Sequence, residues 1–296
     1  IYMTIHGEPS PEILDLIDIG NKEYLKFFKD EILGRIVYSG GSTCRFFEGH
    51  YGAGKTHLLG LLEQIALDAG MIVVRIDLTG ELGLDDWSLI TRHILQNMTT
   101  VINNEQKTSL ADILSVLGRL RTDDIEKLKR ISLPHPGFKN AMIERLESDH
   151  LEGESTKYLT KYLLGGKVTV ADLKEVGIED VKNPLNERNS ETVLRTVIEV
   201  LHLLGIPGFM LLFDENEKTL QLSQRKPSKR KILSANTIRH LIDSCITGNL
   251  PRTVVVFTVL PGFLETATVH YQALGQRLAI IRDKDIPGSW RWPVLT

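Results

Sequence analysis

Gly49-His50-Tyr51-Gly52-Ala53-Gly54-Lys55-Thr56 is the stretch on which the reading of this chain turns. It satisfies Gly-x-x-x-x-Gly-Lys-[Ser/Thr] at every fixed position. An apolar strand candidate, Cys44 to Phe47, runs into it through Glu48. A helical pattern of Leu58, Leu59, Leu62, Ile65 and Ala66 leaves it and stops at Gly70. Glycines here let backbone N–H groups curl around phosphates with no Cβ in the way, and the following helix adds its N-terminal dipole. In that chemistry Lys55 reaches the β and γ phosphates and Thr56 places its hydroxyl on Mg2+. Gly49, His50, Tyr51, Gly52, Ala53, Gly54, Lys55, Thr56 and the adjoining His57 are therefore the candidate nucleotide-binding residues. The alternative, a chance glycine-rich turn, does not account for the strand before it and the helix after it.

Upstream, Ile13 to Leu33 reads as helical with a break at Gly20, and Ser39-Gly40-Gly41-Ser42 ends it. Downstream, Met71 to Ile76 is apolar and β-branched apart from Arg75, as suits a parallel strand buried on both faces. Strand, loop, helix and strand in that order are the βαβ signature of an α/β fold. The pattern then turns helical, with scarcely a strand from Trp87 to about Leu204. Strand signals return at Phe209 to Phe213 and Thr253 to Val259, with a helix from about Ala235 to Ile246 between them. The expected architecture is an α/β P-loop core with a three-layer parallel sheet. Residues 1–84 form its first part, 85–205 a large helical insertion hinged near Pro134, Pro136, Gly137 and Gly165-Gly166, and 206–296 the resumed core.

Met210-Leu211-Leu212-Phe213-Asp214-Glu215 has the form of a Walker B strand: four apolar residues, then two carboxylates. Asp214 is the candidate to hold the magnesium through water, and Glu215 to orient and deprotonate the attacking water. An acid directly after that aspartate favours ATP hydrolysis over a GTP switch. Glu217 reads as a further site carboxylate or as a surface charge. Thr258 has two readings, a sensor near the γ-phosphate and a good strand former. Arg225, Lys226, Lys229, Arg230 and Lys231 surround Pro227-Ser228, so Leu220 to Ser234 reads as a solvated basic loop or as a grip on a phosphate backbone.

The 296 residues carry 42% hydrophobic side chains and a net charge of −3, which argues against a protein that coats DNA by general basicity. Cys44 and Cys245 lack the spacing of a zinc site or a disulfide framework, and no histidine pair has metal-ligand spacing. No apolar run approaches the ~18 residues of a membrane span and no signal pattern opens the chain, so a cytoplasmic protein is expected. The start at Ile1 rather than Met reads as a natural N-terminus cut short.

The stretch Arg45 to Leu59, together with Leu211 to Glu217, Asn236 to Asp243 and Thr253 to Phe263, resembles the ATP-binding proteins of bacteriophage-exclusion (BREX) defence systems. More broadly it is similar to AAA+ ATPases, including the origin-recognition and helicase-loader branch. The resemblance implies ATP and Mg2+ as cofactors and a sensor strand between the Walker A and Walker B strands. It also implies work with other proteins of a defence or DNA-processing complex, with DNA itself a candidate partner, and nucleotide-dependent self-association. Ile19-Gly20-Asn21-Lys22-Glu23 is similar to the box that packs near adenine in those relatives, with Asn21 where an arginine is usual. The helical lid that follows the core there has no counterpart before Thr296, through truncation or through lineage, and Trp290 to Leu295 stands as a final core strand. In such relatives an arginine on the helix after the sensor strand reaches a neighbouring subunit's γ-phosphate. Arg277 is the candidate, with Arg252 and Arg282 as rivals and a plain surface charge as the alternative. An ATP-binding scaffold with little turnover is the second functional reading. A small-molecule kinase is disfavoured, because the acidic pair suits activation of water.

Overall fold

The computed structural model describes residues 22–79, 81–148, 154–175, 177–178, 184–214, 228–278 and 294–295. Ile13 to Asn21, Glu215, Glu217, Arg225, Lys226, Arg282 and Trp290 to Pro293 lie outside the described residues. The chain divides into two compact units, one holding the stretch up to Ala69, Arg75–Asp86 and Phe209 onward, the other Gly70–Val74 and Trp87–Gly208.

The first unit opens with α1 (Lys22–Phe27), which continues as a π-helical stretch over Phe28–Val37. That stretch runs past Leu33, where the sequence pattern had placed the helix end. Tyr24, Phe28, Ile32, Leu33 and Val37 are its buried face. Next come β1 (Thr43–Glu48), α2 (Lys55–Asp68) and β2 (Ile72–Asp77), the expected βαβ unit. Leu59, Leu61, Leu62 and Ala66 bury the apolar stripe of α2, and Gly70, at φ 72°, takes the left-handed turn after it.

The second unit contains a strand pair that the helical reading of 85–205 missed. After α3 (Trp87–Gln96), β3 (Thr99–Ile102) and β4 (Glu105–Thr108) pair antiparallel. Asn103 and Asn104 between them have φ 52° and 63°, the two left-handed residues of a tight hairpin turn. The remainder is helical: α4 (Leu110–Leu120), α5 (Thr122–Arg130), α6 (Pro136–Glu147), α7 (Glu154–Leu163), α8 (Val170–Glu175) and α9 (Ser190–Leu203). Pro136, expected at a hinge, opens α6, where its missing N–H costs no hydrogen bond. Lys139 is buried because its ammonium caps the end of α5, donating to Ile131 O at 2.9 Å.

The first unit resumes with β5 (Phe209–Asp214), α10 (Lys229–Thr247), β6 (Thr253–Val259), α11 (Phe263–His270), α12 (Gln272–Leu278) and β7 (Val294–Leu295). The sequence pattern started α10 near Ala235, but it begins at Lys229, where the Ser228 hydroxyl caps it by accepting from Lys231 N. Lys229 to Ser234 are thus helix rather than loop. β6 lies between β1 and β5 with parallel pairing on both sides, and β7 pairs parallel with β1. The C-terminal end of β2 runs beside β5, where Leu78 N donates to Asp214 O at 3.1 Å. This is an α/β fold with a mostly parallel sheet, in which β6 separates the strand before the glycine loop, β1, from the strand that ends in Asp214, β5.

An aromatic ladder fixes which way the site residues point. Phe213, Phe257 and Phe46 sit opposite one another in register and stack, with ring centroids 4.6 and 5.2 Å apart. Side chains alternate along a strand, so Asp214 and Thr258 project from the other face. Cys44 and Cys245 are buried free thiols, and burial pushes the Cys245 thiol up to about 12, so both stay protonated.

Candidate functional site

The loop between β1 and α2 is shaped by two left-handed glycines, Gly52 at φ 76° and Gly54 at φ 82°. A β-carbon at either would meet no neighbour within 4 Å, so the need for glycine here is conformational rather than steric. Gly54 is also the N-cap of α2. Among the described residues no side chain caps that helix end and its first turn holds no acid of its own, so its leading N–H groups face the loop. The Lys55 ammonium is turned back on the loop, donating to Gly49 O at 2.9 Å and His50 O at 3.1 Å, and lies 5.4 Å from the exposed Tyr51 ring.

Asp214 is where the two motifs meet. Thr56 Oγ1 donates to Asp214 Oδ2 at 2.9 Å, and Thr258 Oγ1 donates to Asp214 Oδ1. Thr258 is fully buried and Asp214 nearly so. Each hydrogen bond to the carboxylate holds one oxygen in place, and such charge-assisted bonds exceed neutral ones in strength. Arg75 adds a cation to the same group, with Nη2 3.9 Å from Asp214 Oδ2.

Thr56, Asp214 and Thr258 are therefore brought together. Thr56 and Asp214 are hard oxygen donors suited to Mg2+, which is typically held by one or two protein groups together with substrate phosphates. Among the described residues no cluster of three or more histidine, cysteine, aspartate or glutamate side chains could hold a metal unaided. His57 lies one position further along α2, and neither of its buried ring nitrogens has a hydrogen-bond partner among the described residues. Glu215 lies outside the described residues.

A model of the family described as BREX system ATP-binding protein BrxC/D matches residues 10–152 and 121–291, nearly the whole length. The chain belongs to this BREX ATP-binding family. No curated protein and no solved structure matches it. Among the described residues of this BREX-family chain, no helix is long and apolar enough to cross a membrane.

Of the three candidate arginines, Arg282 lies outside the described residues, and Arg277 and Arg252 are both engaged. Arg277 on α12 holds Asp243 of α10 in a bidentate pair, Nε to Oδ1 at 2.7 Å and Nη2 to Oδ2 at 3.0 Å. The guanidinium beside Asp243 lowers its carboxyl below the ordinary range. Arg252 donates to Tyr38 O at 3.0 Å and Val37 O at 3.3 Å, closing the end of the π-helical stretch.

Two residues had been given no role. Glu48 Oε1 accepts from Gly262 N at 2.7 Å, tying the strand before the glycine loop to the start of α11. Its signal was an acid placed directly before Gly49. Arg75 announced itself as the one charge in an apolar strand, but its partners depend on strand order, which a linear reading does not supply.

Proposed function

We propose that this chain is a Mg2+-dependent ATPase working as a switch or motor with other proteins of a phage-defence complex on DNA, in the cytoplasm. The observation that carries the reading is Asp214, held by Thr56 and Thr258 beside the N-terminus of the helix that follows the glycine loop. Lys55 and the loop from Gly49 to His57 bind the triphosphate, and Thr56 and Asp214 hold Mg2+. The cation, when bound, offsets the charge on the phosphate oxygens. Glu215 takes a proton from the attacking water, and Thr258 keeps Asp214 oriented while that occurs. The bidentate pair of Arg277 supports a tie between α12 and α10. Service as a trans-acting finger would require that pair to open.

The test is ATP turnover by the purified chain and by Glu215→Gln. The reading expects turnover that depends on Mg2+ and is lost in the variant while ATP affinity is kept. Tight binding without turnover in the wild type would instead support the scaffold reading.

A further inference from the structure

Arg75 interrupts β2 between Val74 and Ile76, both fully buried, and its own side chain is only 22% exposed. Placing a guanidinium there is unfavourable unless nearby charges compensate. Two do so. Nη1 lies 3.9 Å from Glu63 Oε2 on α2, and Nη2 lies 3.9 Å from Asp214 Oδ2 on β5. The cation thus stands between the helix that carries Lys55 and Thr56 and the strand that carries the Walker B aspartate.

We propose that Arg75 is a positioning residue that sets the Mg2+ threshold of nucleotide binding, an inference that rests on the P-loop reading above. Arg75 supplies a positive charge beside the nearly buried Asp214 and helps to align its carboxylate. When Mg2+ arrives beside Thr56 and Asp214, the guanidinium opposes it as a like charge in a partly buried site. Two such charges several ångströms apart, screened by the water that reaches the site to an effective dielectric near that of bulk solvent, change a cation's affinity by about threefold to tenfold. Glu63 moderates the effect, because its carboxylate holds the other end of the same guanidinium. Loss of the Glu63 charge leaves more net positive charge at Asp214. Removing the cation and removing its anion must therefore move the threshold in opposite directions. A side chain that only filled space would not do this.

The experiment is equilibrium binding of a fluorescent ATP analogue, titrated with MgCl2 at constant ionic strength. It uses the wild type, Arg75→Gln, Arg75→Lys and Glu63→Gln, each checked for folding by circular dichroism. The Mg2+ midpoint is expected to fall about threefold to tenfold in Arg75→Gln. It should stay near wild type in Arg75→Lys and rise about twofold to threefold in Glu63→Gln. In EDTA, Arg75→Gln should bind the analogue no more tightly than wild type. A folded Arg75→Gln with an unmoved or raised midpoint overturns the proposal. Should that variant not fold, a Glu63→Gln midpoint that fails to rise overturns it. A wild type whose binding does not respond to Mg2+ overturns the P-loop reading itself, whereas a responsive wild type with unmoved variants overturns only the role of Arg75.

Discussion

Thr56 on the first turn of α2 donates a hydrogen bond of 2.9 Å to Asp214 at the end of β5, joining two residues 158 positions apart. The hydroxyl and the carboxylate expected on one cation thus lie within hydrogen-bond reach of each other. Asp214→Asn keeps an oxygen that Thr56 can donate to, but it removes the charge. We expect it to fold, to bind ATP in EDTA about as the wild type does, and to lose most of the affinity gained on adding Mg2+, about tenfold or more. Calorimetric titration with and without Mg2+ checks this, and a full Mg2+ response in the variant would remove Asp214 from the metal site.

Thr258 tests whether its hydroxyl acts on that carboxylate. Thr258→Val preserves shape and strand propensity but leaves a nearly buried oxygen of Asp214 without its donor, at a cost of about 1–3 kcal/mol. Thr258→Ser, which restores the donor, should recover much of the loss and the Mg2+ response. Chemical denaturation of the two variants separates this from a plain strand-former, for which valine would do as well as threonine.

The site and the core were legible where chemistry fixes sequence. The left-handed backbone of the loop after β1 calls for glycine at Gly52 and Gly54, and a parallel strand buried on both faces requires a run such as Met210 to Phe213. The hairpin of β3 and β4 was obscured because Trp87, Ile90, Ile94 and Met98 form a helical face that leads the eye past Thr99. Its signal, β-branched residues ending at Asn103-Asn104, was nevertheless present. Lys229 to Lys231 read as a loop because three cations oppose the positive end of a helix, yet Ser228 caps that end. The partners of Arg75 and Arg277 are set by strand order and helix packing, to which local pattern is blind.

His135 makes the second unit sensitive to acid. Its Nδ1 accepts from Phe138 N at 3.0 Å as the cap of α6, a role open only to the neutral ring, and burial lowers its pKa below the ordinary value. A depressed folded pKa contributes stability that is present above the unfolded value, near 6.5, and lost as pH falls through the folded value. Unfolding free energy should therefore decline from about pH 6.5 downward more steeply in the wild type than in His135→Asn, whose cap does not titrate. His135→Ala should cost about 1 kcal/mol at pH 8. Parallel slopes for wild type and His135→Asn in urea titrations from about pH 5 to 8 would contradict the assignment.

Gly118 marks where α4 and α6 approach most closely. A β-carbon there would lie 2.2 Å from Leu146 O, a backbone atom that cannot swing aside. Gly118→Ala should therefore destabilise the chain by about 2 kcal/mol or more, despite alanine's better helix propensity. A thermal melt that is unchanged or improved would show that the two helices can part at little cost.

Binding of the ATP triphosphate by the loop from Gly49 to Thr56 is decided by calorimetric ATP affinity in Mg2+ for wild type and Lys55→Ala. Lys55 now spends its ammonium on the carbonyls of Gly49 and His50, so its removal leaves the loop able to fold while taking away the cation meant for the β and γ phosphates. Loss of charge-assisted contacts of that kind corresponds to about a hundredfold in affinity. We expect measurable ATP binding in the wild type and a loss of at least about that size in a folded Lys55→Ala. Equal affinity in the two proteins would contradict it.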